Sequence, residues 1–333
     1  MEIRRVQITG GSSFMITLPK EWAESVGLKK NDPISLQQQS DGSLLLYPEG
    51  KIPEQKTSTK VIDVDGIEDK DCLYRQLVGA YIAGHDCIEI KSNKQLSSPI
   101  TNTISSFVQI AIGLEIMEEN DYCIIINDLM DQSEIKPIKS ILRMKVLVRN
   151  MLSDVLSALE TKDISLLEGM NDRDREVDRI DWLIFRQISI YLKDVTLSHK
   201  QGISMSSIGR CGTVSRSIER IGDHAVLLAR NLSPLIDDSS SDTVDAEIVK
   251  TGRDVITLFS DSITTWENKD MHSANECIER GKELVNKAVS ISEMSDGLQG
   301  KAAIAAELIA SSVKRVAEYS MDVAEVAINS AME

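Results

Sequence analysis

Two stretches in the C-terminal half of this 333-residue chain carry one polar signature: Arg216, Glu219 and Asp223 within VSRSIERIGDHAVLLARN, and Arg315, Glu318 and Asp322 within VKRVAEYSMDVAEVAINS, 99 residues apart. Steps of three and then four set the Arg and both carboxylates on one face of an α-helix. A second acidic pair precedes each copy. In the first it is Asp174 and Asp178, with Asp181 continuing the face; in the second it is Glu279 and Glu283, at an offset of 105. If the paired helices pack antiparallel, four carboxylates converge in each copy. Like charges that close repel unless they share protons or hold a cation, and oxygen-only donors suit hard metal ions. The spacing predicts a metal cluster at Asp174, Asp178, Asp181, Glu219 and Asp223. A second, degenerate cluster is expected at Glu279, Glu283, Glu318 and Asp322, where Gly281 and Tyr319 replace Glu176 and Arg220. The donor chemistry does not separate Mg, Ca, Mn, Fe and Zn. The competing reading is a solvated helix face laced with weak ion pairs.

Helices must carry these groups. Periodicity predicts six of them, over 135–160, 164–192, 204–232, 245–268, 271–294 and 300–332, split three and three about the Ser/Asp-rich loop at 237–241. The duplicated motif lies on the third helix of each trio, so the region reads as two tandem three-helix bundles, 134–236 and 242–333. His224, next to Asp223, points about 100° away around the helix and is expected to cap or pack beside the site.

Composition bounds the rest. A chain of this length exceeds one ordinary core. Aromatic residues make up only 4%, which suits helical bundles. The net charge of −15 excludes a general nucleic-acid coat protein, because phosphates would be repelled by most of the surface. Five cysteines, Cys72, Cys87, Cys123, Cys211 and Cys277, show no metal-binding spacing and fit a reducing cytoplasm. No apolar leader or membrane-length stretch is present, so a cytoplasmic protein is expected.

The first fifty residues form a separate unit. Alternation over 4–8 and 14–18, a Gly10-Gly11-Ser12-Ser13 turn, a short helix from Lys20 to Val26 closed by Gly27, and a hairpin of 34–38 with 44–47 through Ser40-Asp41-Gly42 give a sheet with little to cover it. Such a module should dimerise. Residues 51–59 read as a linker. Over 60–130 the order β-α-β-α-β, with strands at 61–64, 87–90 and 123–126 and helices at 70–83 and 99–117, predicts a three-stranded layer on two helices. His85 just past Gly84 reads as a turn residue, and no phosphate loop or nucleophile motif occurs there.

The first unit resembles the AbrB/SpoVT swapped-hairpin DNA-binding domain, on Arg5-Val-Gln-Ile-Thr-Gly, Ser13, Thr17-Leu-Pro-Lys20, Trp22, Gly27-Leu28, Asp32 and Asp41-Gly-Ser-Leu-Leu-Leu-Tyr-Pro48. The resemblance implies an intertwined homodimer with DNA contacts from Arg4, Arg5 and Lys20, and Lys29 and Lys30 at the edge. Five basic residues against six acidic ones in residues 1–50 limit non-specific DNA binding. The same module would also serve as a dimeriser alone. Residues 134–333 resemble the PhoU family, on Glu219-Arg-Ile-Gly-Asp-His-Ala225 and the paired acidic motifs. That resemblance implies metal clusters at the carboxylates named above and control of phosphate uptake through a transporter and its sensor kinase. The expected fold is multidomain and mainly α: a β-rich AbrB-like unit (1–50), an α/β segment (60–130) and tandem PhoU-like bundles. The expected function is a dimeric, DNA-binding, phosphate-responsive regulator, or a non-DNA adaptor on the transporter or kinase. A di-iron enzyme is disfavoured because no inward Glu-x-x-His motif appears.

Overall fold

The computed structural model describes residues 3–11, 13–38, 42–48, 58–67, 69–131, 136–193, 197, 202–237 and 241–333. Ser12, the Ser40-Asp41 turn, linker residues 51–57, positions 133–135, 198–201 and 238–240 lie outside them. The chain divides into two compact units, Met1–Ser58 and Thr59–Glu333.

In the first unit β1 (Gln7–Thr9) pairs antiparallel with β2 (Ser13–Met15), and β3 (Ile34–Gln38) with β4 (Leu44–Pro48). Pro19 opens the short helix α1 (Lys20–Ser25), and Gly27 closes it at φ +64°, a conformation that costs glycine little. No described side chain of this unit is buried. Ile8, Phe14 and Leu36 stand 69%, 77% and 63% exposed. Two separate two-stranded ribbons offer too little surface to make a core.

The second unit begins with β5 (Thr59–Asp63), α2 (Lys70–Ile82), β6 (Cys87–Lys91), α3 (Ser98–Ile110), β7 (Leu114–Glu119) and β8 (Cys123–Asp128). The sheet order is β5-β6-β8-β7, with β5 parallel to β6 and the other pairs antiparallel. This corrects the expected three-stranded layer. The helix predicted over 99–117 ends at Ile110, and its last residues form β7. Gly113, at φ +89°, turns the chain, and Leu114-Glu-Ile then alternates buried and exposed until a bulge between Ile116 and Glu118 blunts the edge. Ile62, Ile88, Ile90, Ile124 and Ile126 pack under Leu73, Leu77, Tyr81, Ile104 and Phe107.

Six long helices follow: α4 (Pro137–Thr161), α5 (Met170–Lys193), α6 (Met205–Asn231), α7 (Asp242–Asn268), α8 (Met271–Ser295) and α9 (Gly300–Ala331). Each buries one apolar stripe, and one continuous core runs through both trios. The helix predicted from Ile164 starts at Met170 instead, after a 3-10 turn over Ile164–Leu167. The α4–α5 and α7–α8 junctions repeat one device. Lys162 and Lys269 take the left-handed conformation at φ 57° and 54°, and the Asp that follows each, Asp163 or Asp270, accepts backbone N–H bonds at the next helical start.

The α/β segment is fixed to α5 by Arg186, which is fully buried. Its guanidinium donates to Asp128 Oδ2 at 2.6 Å, Tyr81 O at 2.6 Å and His85 O at 2.8 Å, and lies 4.9 Å from the Tyr81 ring centroid. Trp182, one turn earlier, meets Tyr74 edge-on. Replacing Arg186 by Met leaves the Asp128 carboxylate buried without its countercharge, at a cost of about 3–5 kcal/mol. The expected result is a lower urea midpoint for Arg186→Met, partly restored by adding Asp128→Asn.

Candidate functional site

The acidic faces of α5 and α6 meet along one seam. Gly222 on α6 sits against α5, where an added Cβ would lie 3.5 Å from Val177 Cγ1 and 3.7 Å from Asp174 Oδ1. The seam brings Asp174, Asp178, Asp181, Glu219 and Asp223 within mutual electrostatic reach. Burial, then the charges of Asp174, Glu219, Asp223 and Asp181, push the Asp178 carboxyl up to about 7. Asp174 is raised by burial and then by Asp223. Glu219 is raised chiefly by burial, with Arg216 opposing.

The five carboxylates are not equivalent. Asp181 is 1% exposed, accepts a 2.7 Å bond from Ser215 Oγ and lies 3.3 Å from Arg216 Nη1. The same Nη1 is 3.3 Å from Glu219, and the guanidinium rests 5.0 Å from the Phe185 ring centroid. Ser215 was not singled out by sequence reasoning. Its only signal is its position one turn before Glu219 on the same helix face. Asp174, Asp178 and Asp223 accept no hydrogen bond from the described residues. Among those residues no three His, Cys, Asp or Glu side chains are arranged as a ligand shell. The donor chemistry nonetheless fits a hard cation: three oxygen-only side chains share a seam, repel one another and have no hydrogen bonds to give up. His224 lies beside the seam rather than in it. Its ring is 5.9 Å from that of Tyr319 on α9, and Nδ1 has no hydrogen-bond partner among the described residues.

The second predicted set does not assemble. Glu318 pairs with Arg315 at 2.8 Å and Lys314 at 3.8 Å, and Asp322 is raised by burial and by Glu325 and Glu318. Glu279 is exposed and held by Lys282 at 2.7 Å, and Glu283 is exposed. The physical reason is register. Val177, Ile180 and Ile184 of α5 are matched in burial by Gly281, Leu284 and Ala288 of α8, an offset of 104 rather than 105. At that offset Asp174, Asp178 and Asp181 fall on Ile278, Lys282 and Val285. The contact is size-swapped as well: Gly222 faces Val177 in the first trio, whereas Gly281 faces Met321, the residue 99 beyond Gly222.

In the first unit Arg4, Arg5, Lys20, Lys29 and Lys30 are all exposed. Lys20 lies 3.6 Å from Glu24, and the Lys29 backbone N–H donates to Asp32 at 2.6 Å.

Comparison with known proteins gives two family matches: the PhoU domain over residues 141–232, and the antidote-toxin recognition MazE family of bacterial antitoxins over residues 7–54. The chain thus joins a segment that matches the MazE family to one that matches the PhoU domain. Phosphate-specific transport system accessory protein PhoU homologs from two strains of Caulobacter vibrioides are 36% identical over 94 residues, which is 27% of this chain and 37% of theirs. The match therefore spans little more than a third of those relatives. PhoU from Pseudomonas aeruginosa shares the fold, with TM-score 0.50 at 19% identity over 57% of this chain and 92% of that one.

Two outcomes test this geometry. A carboxyl raised from 3.8 to about 7 on folding means that the native state holds the proton more tightly, so its stabilising effect is complete below pH 3.8 and is lost as pH rises through 7. Thermal melts should show the parent losing stability from about pH 4 to about pH 7 and levelling above that, with Asp178→Asn flattening the slope and melting higher at the alkaline end. For the register, Gly281→Val should destabilise by about 1–3 kcal/mol through its clash with Met321. Adding Met321→Ala should recover most of that loss in a denaturant titration.

Proposed function

We propose that this chain, in which a MazE/AbrB-like segment precedes a PhoU domain, is a phosphate-responsive regulator of phosphate uptake that acts by binding rather than catalysis. The observation that carries the reading is the α5–α6 seam, whose five carboxylates all fall within the residues matching the PhoU domain. Asp174, Asp178 and Asp223 would hold a hard divalent cation, which supplies positive charge between them. Asp181 stays committed to Ser215 and Arg216, and fixes the Arg that also orients Glu219. At a pH below about 7 a proton on Asp178 would relieve the same repulsion, so cation and proton compete for one seam.

The first unit supports a homodimer that binds operator DNA. Its apolar side chains Ile8, Phe14 and Leu36 are exposed, as are Arg4, Arg5 and Lys20. Duplicating the unit would double its few cations and bury Ile8, Phe14 and Leu36. A second reading, an adaptor docking on a phosphate transporter or sensor kinase, is favoured by the unit's charge balance of five basic against six acidic residues in 1–50. In that reading the first unit only dimerises. Both place the protein in the cytoplasm, and no helix among the described residues is long and apolar enough to cross a membrane.

Replacing Arg4, Arg5 and Lys20 together by Ala separates the readings. Operator affinity should fall steeply and its salt slope shrink by about 3 per protomer, while light scattering still reports a dimer. A parent with no salt-dependent DNA affinity would leave the adaptor. For the cation, calorimetric Mn²⁺ titration at pH 8 should give binding in the parent and at least tenfold weaker binding in Asp178→Asn/Asp223→Asn, by the loss of two charged ligands (at least ~1.4 kcal/mol).

A further inference from the structure

The chain holds 52 acidic against 37 basic residues, yet residues 136–153 contain five cations, Lys136, Lys139, Arg143, Lys145 and Arg149, and no acid. Helix α4 turns this stretch partly to solvent. Lys139 and Arg149 are exposed, and their side-chain cations have no ion-pair or hydrogen-bond partner among the described residues. Three flanking acids are already engaged by arginines, Glu176 by Arg143 and Arg179, Asp154 by Arg173, and Glu160 by Arg253, while Glu267 and Asp261 of α7 act on Lys145. Among the cations runs an apolar ridge at steps of four, with Ile138 38% exposed, Leu142 half-buried and Val146 53% exposed. The face is therefore basic and apolar together, on a protein whose net charge is −15.

We propose that this face of α4 docks on an anionic phospholipid surface. Headgroup phosphates answer the uncompensated cations, and the acyl boundary answers Val146 and Ile138. A nucleic-acid backbone offers nothing to the apolar ridge. Lipids also diffuse laterally, so irregularly spaced cations find partners without a complementary shape. The protein lies on the bilayer and does not span it. The inference uses neither the acidic seam nor the first unit, and so stands apart from the proposed function.

The test is co-sedimentation of the full chain with vesicles of equal phosphatidylglycerol and phosphatidylcholine, against pure phosphatidylcholine. The parent should partition to the anionic vesicles at about 50 mM salt and release at about 500 mM, as the Debye length shortens. Lys139→Gln/Arg149→Gln should weaken partition about 30-fold, from ~1 kcal/mol per cation. Val146→Asp should weaken it too. Lys282→Gln/Lys287→Gln, the same charge change on α8, should behave as the parent. Both double variants alter exposed or half-exposed side chains, and unchanged circular dichroism and melting confirm the fold. No preference for anionic vesicles, equal partition of the parent and the α4 variant, or an equal loss in the α8 variant overturns the proposal. So does loss of duplex-DNA affinity in the α4 variant with vesicle binding intact.

Discussion

Five negative side chains are held at one helix seam, and much of the first trio can be understood as making that tolerable. Coulomb repulsion between carboxylates in a partly buried site grows as water is excluded, so the seam needs a compensating charge or fewer charges. Both devices are present. Arg216 straddles Asp181 and Glu219, steadied by the Phe185 ring, and Ser215 donates to the most deeply buried carboxylate. Asp178 lies at the centre of what remains and holds its proton up to about neutral pH. The charge of the seam therefore changes with pH.

The second trio shows what happens when the same scaffold is freed from that constraint. Its junction repeats the Lys-Asp device, and α9 keeps the Arg, Glu and Asp of α6 at one offset. The α8 helix does not keep its half. Lys282 stands where Asp178 would be, and the Gly222–Val177 contact returns with its sizes exchanged as Met321–Gly281. Arg220 of α6 and Tyr319 of α9, equivalent positions in the two copies, meet with the guanidinium 5.6 Å from the ring centroid and join the trios. One copy brings its carboxylates together, while the other does not.

Arg186 plays the corresponding part for the α/β layer. A fully buried guanidinium contributes little net stability by itself, since desolvation offsets its attraction to Asp128. Its worth is in geometry: five N–H donors in a fixed fork match one carboxylate and two carbonyls at one arrangement of α5 and the sheet. The layer is thereby referenced to the helix that carries Asp174 and Asp178.

The sequence by itself determined the six helices, because apolar residues at period 3.6 with breaks at Lys-Asp and Ser-Asp-Gly leave few alternatives. It also placed the members of the first carboxylate set on one face of each of two helices, but whether such faces meet is decided by packing, since the same spacings on α8 and α9 do not assemble. It misplaced β7, since Leu114-Glu-Ile-Met reads equally as helix or strand and only Gly113 at positive φ, with the pairing to β8, decides. It also misjudged the second cluster by one residue. An offset of 105 or 104 is invisible in acidic residues alone, but it rotates a helix face by about 100° and turns Glu279 and Glu283 to solvent. Packing decided that, because buried methyl groups tolerate no such rotation, whereas surface carboxylates do.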